Sequence, residues 1–153
     1  MDEIEQLYRR YARDLYRYAV SLCMNPAAAE DIVQSAFLSA IGAYARFRGD
    51  STVKTWLFGI VYNEYRAYLR KNPAQLPIYE EIVAPDVPDV LREQYLAALE
   101  EIAKLPEKQR QIATLRLIYG MPFSEIAELV GEKENTCRVT FFRLRRRLAE
   151  VIE

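Results

Sequence analysis

The sequence contains no histidine among its 153 residues and only two cysteines. Histidine is the most common general base and metal ligand in proteins, so its absence removes the usual starting point for an enzyme. Cys23 and Cys137 belong to no paired motif, which predicts two buried thiols rather than a disulfide or a zinc site. A glycine-rich phosphate loop and a recognisable carboxylate pair are also missing. We therefore expect no catalysis, no cofactor or metal and no small-molecule substrate.

Long apolar runs are absent as well. Hydrophobic residues make up 51% of the chain, yet no stretch approaches the roughly 20 apolar residues that a membrane-spanning helix needs. The acidic pair Asp2-Glu3 follows Met1, where a secretory signal would place basic and then apolar residues. These features predict a soluble, cytoplasmic protein.

The net charge of −1 conceals an uneven distribution. Residues 1–72 and 104–153 each carry a small excess of basic side chains, whereas residues 73–103 hold seven acids and one arginine. Five arginines lie within the eleven residues from Arg138 to Leu148. Such asymmetry is typical of a chain whose parts meet partners of different charge.

Apolar residues recur at helical spacing through the first 72 residues. We expect three helices there, over about 4–22, 26–44 and 53–71. Asn25-Pro26 would end the first helix and start the second, and the polar loop 46–52 would lead into the third. Side chains predicted on the inward faces include Tyr8, Ile41, Trp56, Tyr65, Tyr68 and Leu69.

Four prolines and no sustained period mark residues 73–88, which predicts an extended, flexible tether. Helical spacing resumes with Val90, Leu91 and Tyr95 and predicts helices over about 89–103, 107–119 and 122–129, with a last one from about 135 onward. No strand pattern or internal repeat is visible. The sequence therefore predicts an all-α fold of two small helical domains, residues 1–72 and 89–153, joined by the linker 73–88.

The spacing of Ala127, Gly131 and Cys137 is that of a helix-turn-helix: a small residue for close helix contact, a glycine for the turn and a small apolar anchor. The second helix of that motif enters the major groove and presents its leading residues to base edges. The candidate DNA-facing residues are Asn135, Thr136, Arg138, Val139, Phe142, Arg143 and Arg146.

The arginines of the last predicted helix lie on more than one flank, opposite an apolar stripe of Phe141, Leu144 and Leu148. Guanidinium groups on several flanks suit contacts to base edges and to two phosphate backbones. A merely solvated charged face is the less favoured alternative, because no acid occurs between Thr136 and Ala149 to balance it.

Two longer stretches carry a family resemblance. The first is AEDIVQSAFLSAIGAYARFRGDSTVKTWLFGIVYNEYRAYLRK, and the second, downstream, is LPEKQRQIATLRLIYGMPFSEIAELVG. Both closely resemble the extracytoplasmic-function (ECF) sigma factors of bacterial RNA polymerase. The resemblance implies a promoter-recognition subunit whose first domain binds the RNA polymerase core enzyme and the melted minus-ten element, and whose second domain reads the minus-thirty-five duplex. It also implies an anti-sigma factor as partner, often membrane-anchored. A stand-alone helix-turn-helix regulator that does not depend on core polymerase is the alternative.

The resemblance also implies roles for residues of the first domain. The surface for core polymerase would be Asp31, Gln34 and Leu38, which share one helix face. Binding of single-stranded bases needs cations for phosphates and an aromatic surface or pocket for a flipped base. The minus-ten candidates are Arg46, Phe47, Arg48, Asp50, Ser51, Lys54, Asn63, Arg66 and Arg70.

Some positions depart from the family pattern or have two interpretations. Ala67 replaces an acid that many relatives carry, and Val139-Thr140 replaces the usual small-then-basic pair of the recognition helix; both changes bear on promoter sequence rather than on fold.

The acids of the linker would either mimic phosphate inside polymerase channels or only keep the linker solvated. These acids are Glu80, Glu81, Asp86 and Asp89.

Overall fold

The computed structural model describes residues 3–49, 52–73, 77–83 and 87–152, and within these ranges it contains helices and no strand. The prediction of an all-α fold is confirmed. The helices are α1 (Glu3–Cys23), α2 (Pro26–Ala43), α3 (Val53–Lys71), α4 (Tyr79–Ile82), α5 (Asp89–Ala103), α6 (Glu107–Leu117), α7 (Phe123–Val130) and α8 (Glu134–Ile152). A single 3₁₀ turn, Tyr44–Arg46, follows α2.

Helices α1, α2 and α3 pack on one another as a three-helix bundle. Its centre is aliphatic, with Leu15 and Val61 fully buried. The helix starts follow from the capping residues: the side chain of Asn25 accepts a hydrogen bond from the Ala28 amide at 3.1 Å at the start of α2. Thr52 caps α3 in the same way.

Three apolar side chains predicted to face the core of this bundle are exposed: Tyr8, Ile41 and Leu69. Each lies at the margin of an apolar stripe. Ala40 is fully buried, and the next residue along a helix points about 100° away, which turns Ile41 toward solvent. The predictions for these three side chains were therefore wrong, whereas Tyr65 is buried as predicted.

Helices α6, α7 and α8 enclose a second apolar cluster that includes Leu115, Ile126 and Cys137. Gly131 ends α7 in the left-handed conformation, at φ 71°, and its amide donates to the carbonyl of Ala127 at 3.0 Å. Glycine adopts this φ without the steric cost that a Cβ would bring. The predicted helix-turn-helix is thus present, with α7 as its first helix and α8 as its second.

Helix α5 packs against α4, α6 and α8, but its first turns lie on the surface. Val90, Leu91 and Tyr95, which mark the start of its apolar spacing, are all exposed. The buried residues of α5 are in its second half and include Leu99 and Ile102.

Part of the linker is helical and packs against neighbouring helices. Residues 79–82 form the helical turn α4, and Val83 is buried beside Leu99. The amide of Ile78 donates to the carbonyl of Met24 at 3.0 Å. The prediction of an extended tether is wrong for residues 77–83, because their apolar side chains can be buried against the neighbouring helices.

The two domains pack against each other, chiefly through α1 and α6. Met24 follows α1 at φ 54°, is 1% exposed and belongs to the same apolar cluster as Leu144 of α8. The hydroxyl of Thr114 in α6 lies 3.6 Å from the Met24 sulfur. We call this packing the closed arrangement.

Substitution of Leu115 by alanine should lower the free energy of unfolding by about 2–5 kcal/mol, because it leaves a cavity in the apolar cluster enclosed by α6, α7 and α8. Leu115 has no exposed surface, whereas Leu117, two residues later in α6, is exposed. Leu117→Ala is therefore the matched control, with an expected change of about 0.5 kcal/mol. Urea unfolding followed by circular dichroism measures both, and equal destabilisation by the two substitutions would contradict the burial described for α6.

Candidate nucleic-acid interface

Helix α8 separates an apolar inner face from a basic outer face. Cys137, Phe141, Leu144 and Leu148 are buried, which confirms the apolar stripe predicted for this helix. The opposite side is exposed over several turns. Its exposed residues include Asn135, Thr136, Arg138, Val139, Phe142, Arg143, Arg145, Arg146 and Arg147.

One arginine of this outer face is paired with an acid. The guanidinium of Arg138 donates to Glu134, one turn earlier in α8, at 3.0 Å. Glu134 lies just before the acid-free stretch recognised in the sequence. Among the described residues it is the only acid within ion-pair distance of an α8 arginine, so most of the positive charge of this face is directed to solvent.

Phe123, the first residue of α7, orients two arginines. The guanidinium of Arg138 lies 5.2 Å from the centre of its ring, and that of Arg116 lies 4.4 Å from it. Cations over an aromatic face are attracted by the ring quadrupole. The arrangement fixes Arg138 at the junction of the two helices of the motif.

A second basic surface lies on α3. Asn63, Arg66 and Arg70 are exposed, and their i, i+3, i+7 spacing places them on one face. Trp56 lies seven residues before Asn63 and therefore shares this face. We call these four residues the outer α3 face.

The loop before α3 contributes aromatic and basic side chains beside Trp56. The rings of Phe47 and Tyr44 lie 5.0 and 6.0 Å from that of Trp56. Trp56 is half-buried against the bundle core, so the predicted packing role is confirmed, but it also borders the exposed face. Arg46 and Arg48 are exposed in the same loop, whereas the candidates Asp50 and Ser51 lie outside the described residues.

Lys54 is separated from the other minus-ten candidates. Nine residues before Asn63, it points about 180° away around the axis of α3. Its ammonium group donates to Glu125 of α7 and lies 3.8 Å from Asp14 of α1. The next residue, Thr55, donates to Glu128 of α7 at 2.7 Å.

The acids around Lys54 set its protonation. Burial alone would lower the pKa of Lys54, but the hydrogen bond to Glu125 and the charges of Glu125, Asp14 and Glu128 outweigh it and raise the pKa above its usual value. The ammonium group is therefore firmly charged, and in the closed arrangement it is bound by carboxylates. This contact has no periodic signature in the sequence, since Lys54 and Glu125 lie in different domains.

The outer face of α2 carries the residues predicted to bind core polymerase. Asp31, Gln34 and Leu38 are all exposed, and Leu38 retains 71% of its accessible surface. Ile41, 58% exposed, extends the same face by a further turn. Ile41 was assigned to the core from its spacing, and the signal that could have placed it outside was its adjacency to the small residue Ala40.

The two thiols are ordinary. Burial raises the pKa of Cys23 to about 11, and burial also raises the pKa of Cys137. Both thiols are therefore protonated near neutral pH. Within the described ranges no group of three histidine, cysteine, aspartate or glutamate side chains could hold a metal ion, and no helix there is long and apolar enough to cross a membrane.

Comparison with known proteins assigns both halves of the chain. Residues 7–74 match the family model of Sigma-70 region 2, and residues 95–148 match that of Sigma-70 region 4. The chain is 31% identical over 149 residues to the ECF RNA polymerase sigma factor SigM of Mycobacterium tuberculosis, with 97% of this chain and 76% of the relative covered. The chain belongs to the ECF sigma factors.

A further relative and two solved structures are also similar to this chain. RNA polymerase sigma factor YlaC of Bacillus subtilis is 29% identical over 157 residues, with 94% of this chain and 88% of the relative covered. The sigma factor RpoE, solved in complex with the anti-sigma factor NepR from Bartonella quintana, has the same fold, with a TM-score of 0.70 at 24% identity over 99% of this chain and 98% of that one. CnrH, solved with the cytosolic domain of CnrY, aligns with a TM-score of 0.65 at 23% identity over 97% and 86%.

An ECF sigma factor directs RNA polymerase to promoters, and this is the function of the chain. The resemblance recognised in the sequence is thereby confirmed, and a stand-alone regulator is not favoured. The basic outer face of α8 belongs to region 4 of this sigma factor, whereas the outer faces of α2 and α3 belong to region 2.

Proposed function

We propose that this ECF sigma factor binds promoter DNA through two separate surfaces and the polymerase core through a third, and that it carries out no chemistry itself. The proposal keeps the domain boundaries predicted from the sequence: residues 1–72, the linker 73–88 and residues 89–153. One observation supports the proposal above all. The second helix of the helix-turn-helix exposes arginines along the side opposite its buried stripe.

The minus-thirty-five duplex is the proposed ligand of α8. An α-helix fits the major groove of B-DNA, where each base pair shows a distinct pattern of donors, acceptors and methyl groups. The exposed residues of this helix, its arginines included, reach base edges and the phosphates that flank them. The proposed contacts are Asn135, Thr136, Arg138, Val139, Phe142, Arg143 and Arg146.

The melted minus-ten element is the proposed ligand of the outer α3 face and the preceding loop. Arg46, Arg48 and the exposed cations of α3 supply charge for phosphates, and the Phe47–Trp56 pair supplies an aromatic surface on which a base can stack. Lys54 is included as a phosphate contact, although in the closed arrangement it is held by α7. Asp50 and Ser51, which the family resemblance implies for this surface, are also proposed as minus-ten contacts.

Core polymerase is the proposed partner of the outer α2 face. Leu38 and Ile41 form an exposed apolar pair, bordered by the polar side chains of Asp31 and Gln34. An apolar centre with a polar rim is the usual composition of a protein interface. We include Ile41 in this surface because it is exposed one turn from Leu38.

An anti-sigma factor is the proposed regulator, acting in the cytoplasm where transcription takes place. The two solved structures of similar fold are complexes, one with the anti-sigma factor NepR and one with the cytosolic domain of CnrY. A protein partner of this class would cover the exposed surfaces described above. The acids Glu80, Glu81, Asp86 and Asp89 are proposed as phosphate mimics inside the polymerase; Asp86 lies outside the described residues, and the other three are exposed.

Photo-crosslinking tests these assignments. A benzophenone amino acid is placed at Arg66 in one variant and at Arg146 in another, both exposed positions, and each variant is assembled with core polymerase on a promoter fragment. We expect the Arg66 variant to label the minus-ten region and the Arg146 variant to label the minus-thirty-five region. Crosslinks from both positions to one region, or to none, would contradict the proposal.

Release of Lys54 from α7 should strengthen binding of the minus-ten strand by the free sigma factor. Glu125→Gln removes the charge that holds Lys54, and an ion pair between partly exposed side chains is worth about 0.2–1 kcal/mol, so we expect an affinity gain of about 1.4- to fivefold. Fluorescence anisotropy of a labelled single strand with the minus-ten sequence measures it. Glu132→Gln is the control, since it removes the same charge from the Lys108–Glu132 pair, at 2.8 Å. Equal gains from both variants would show only a change in net charge.

A further inference from the structure

Val139 occupies the outermost position of α8. Its neighbours Cys137 and Phe141 are both buried, and each lies two residues away, which is about 200° around a helix. Val139 therefore points directly away from the domain, and 40% of it is exposed. A valine at this position can neither donate nor accept a hydrogen bond.

Phe142, three residues later, extends the apolar strip on the same side. It is 49% exposed, yet its ring lies 5.7 Å from that of Phe141 and 6.3 Å from that of Phe123. Those contacts fix one edge of the ring against the core. The other edge faces solvent beside Val139, so the two side chains present a fixed apolar strip.

Arginines surround this strip. Val139 and Phe142 line one shallow surface depression together with Arg138, Arg143, Arg145 and Arg146. Such positive charge suits an anionic partner such as DNA and repels a basic protein. The occupant must therefore be anionic at its margins and apolar at its centre.

We propose that Val139 and Phe142 read thymine, by contact with its C5-methyl group in the major groove. This inference rests on the proposed binding of the minus-thirty-five duplex by α8. Thymine is the base that shows an apolar group in the major groove, and cytosine carries only hydrogen at the same carbon. A polar base edge held against valine would lose hydrogen bonds to water and gain none.

The helix geometry predicts where the thymines lie. Three residues of an α-helix span about 4.5 Å, and base pairs stack about 3.4 Å apart. The two methyl contacts should therefore fall on neighbouring base pairs or one pair further apart, on either strand. The guanidinium groups around them contact the flanking phosphates and base edges.

The test uses the full chain assembled with core polymerase. A duplex randomised over the minus-thirty-five region is selected for binding, and each thymine of the enriched duplex is then replaced singly by deoxyuridine, which lacks only the methyl group. Loss of one buried methyl contact weakens binding by about fourfold. We expect that loss at two closely spaced thymines and no change at the others.

Protein variants identify the contacting side chains. Val139→Ala should abolish the difference between thymine and deoxyuridine at one position, and Phe142→Ala should abolish it at the other. Val151→Ala is the control, because Val151 is also exposed but lies in the last turn of α8. It should leave both differences intact.

The possible outcomes distinguish a failure of methyl reading from a failure of the proposed binding of the minus-thirty-five duplex by α8. An enriched duplex that tolerates deoxyuridine everywhere would overturn methyl reading and leave promoter recognition by α8 standing. A methyl effect that survives both alanine substitutions would also overturn it, because other side chains would then contact the methyl groups. If no sequence is enriched, the inference and the proposed role of α8 both fail.

Discussion

Substitution of Leu38 by arginine is expected to lower the affinity of the sigma factor for core RNA polymerase by about 2 kcal/mol or more, which is about thirtyfold. Leu38 is 71% exposed at the centre of the outer α2 face, between Gln34 and Ile41. In a complex, arginine at this position would place a charge where the apolar centre of the interface is desolvated. The fold should be unaffected, because Leu38 has no role in the bundle core.

Val90→Arg is the matched control for that experiment. Val90 is an exposed aliphatic residue like Leu38, with 81% of its surface accessible, but it belongs to α5 of the second domain. Biolayer interferometry with immobilised core polymerase measures both variants. Unchanged binding by Leu38→Arg, or an equal loss for the two, would remove the outer α2 face from the polymerase interface.

The double substitution Arg143→Ala with Arg146→Ala is expected to have the second large effect. Each arginine that reads a base contributes about 1–3 kcal/mol, so the pair should weaken use of the minus-thirty-five element by about 2 kcal/mol or more. Both side chains are exposed on the outer face of α8. Transcription from a promoter with an intact minus-thirty-five element measures the loss.

A promoter with a scrambled minus-thirty-five element serves as control, because the variant and the unaltered sigma factor should transcribe it equally poorly. Titration with salt distinguishes two kinds of contact. An arginine bound to phosphate reduces the slope of log affinity against log salt by about 1 when it is removed, whereas a base contact changes promoter preference instead. Full activity of the variant on the intact promoter would show that these arginines are only a solvated face.

Local patterns in the sequence predicted most of the fold. Helical spacing, the Asn25-Pro26 boundary and Gly131 depend on interactions within a few residues, and all three appear in the structure as expected. The inner stripe of α8 was equally predictable, since its period identifies it. The predictions at the edges of stripes were weaker, because a margin residue such as Ile41 satisfies the period whether it is buried or exposed.

Contacts between the domains were not predictable from these patterns. Two such contacts join residues that are far apart in sequence, so neither leaves a periodic signal. They are the contact between Met24 and Thr114 and the contact between Lys54 and Glu125. The linker was misjudged for a related reason. Its prolines suggested an extended chain, but Val83 is buried in the same apolar cluster as Leu99, and burial of apolar surface favours the packed form.

The candidate surfaces were also predictable only where their residues lie on one helix. Residues of the outer α2 face and of α8 lie together as the helix period requires. The minus-ten candidates do not all lie together, because Lys54 and Asn63 are on opposite sides of α3 and only the latter shares a face with Arg66 and Arg70. The contribution of Trp56 to that face depends on its contact with Phe47 across the preceding loop.

Run-off transcription with purified core polymerase, on a library of promoter fragments, tests the central claim most directly. We predict that the polymerase with this sigma factor starts transcription from fragments that share one minus-thirty-five and one minus-ten sequence. Leu38→Arg should abolish these transcripts on every fragment, whereas Arg143→Ala with Arg146→Ala should abolish them only where the minus-thirty-five element is needed. Transcripts that are the same with and without the protein would contradict the claim.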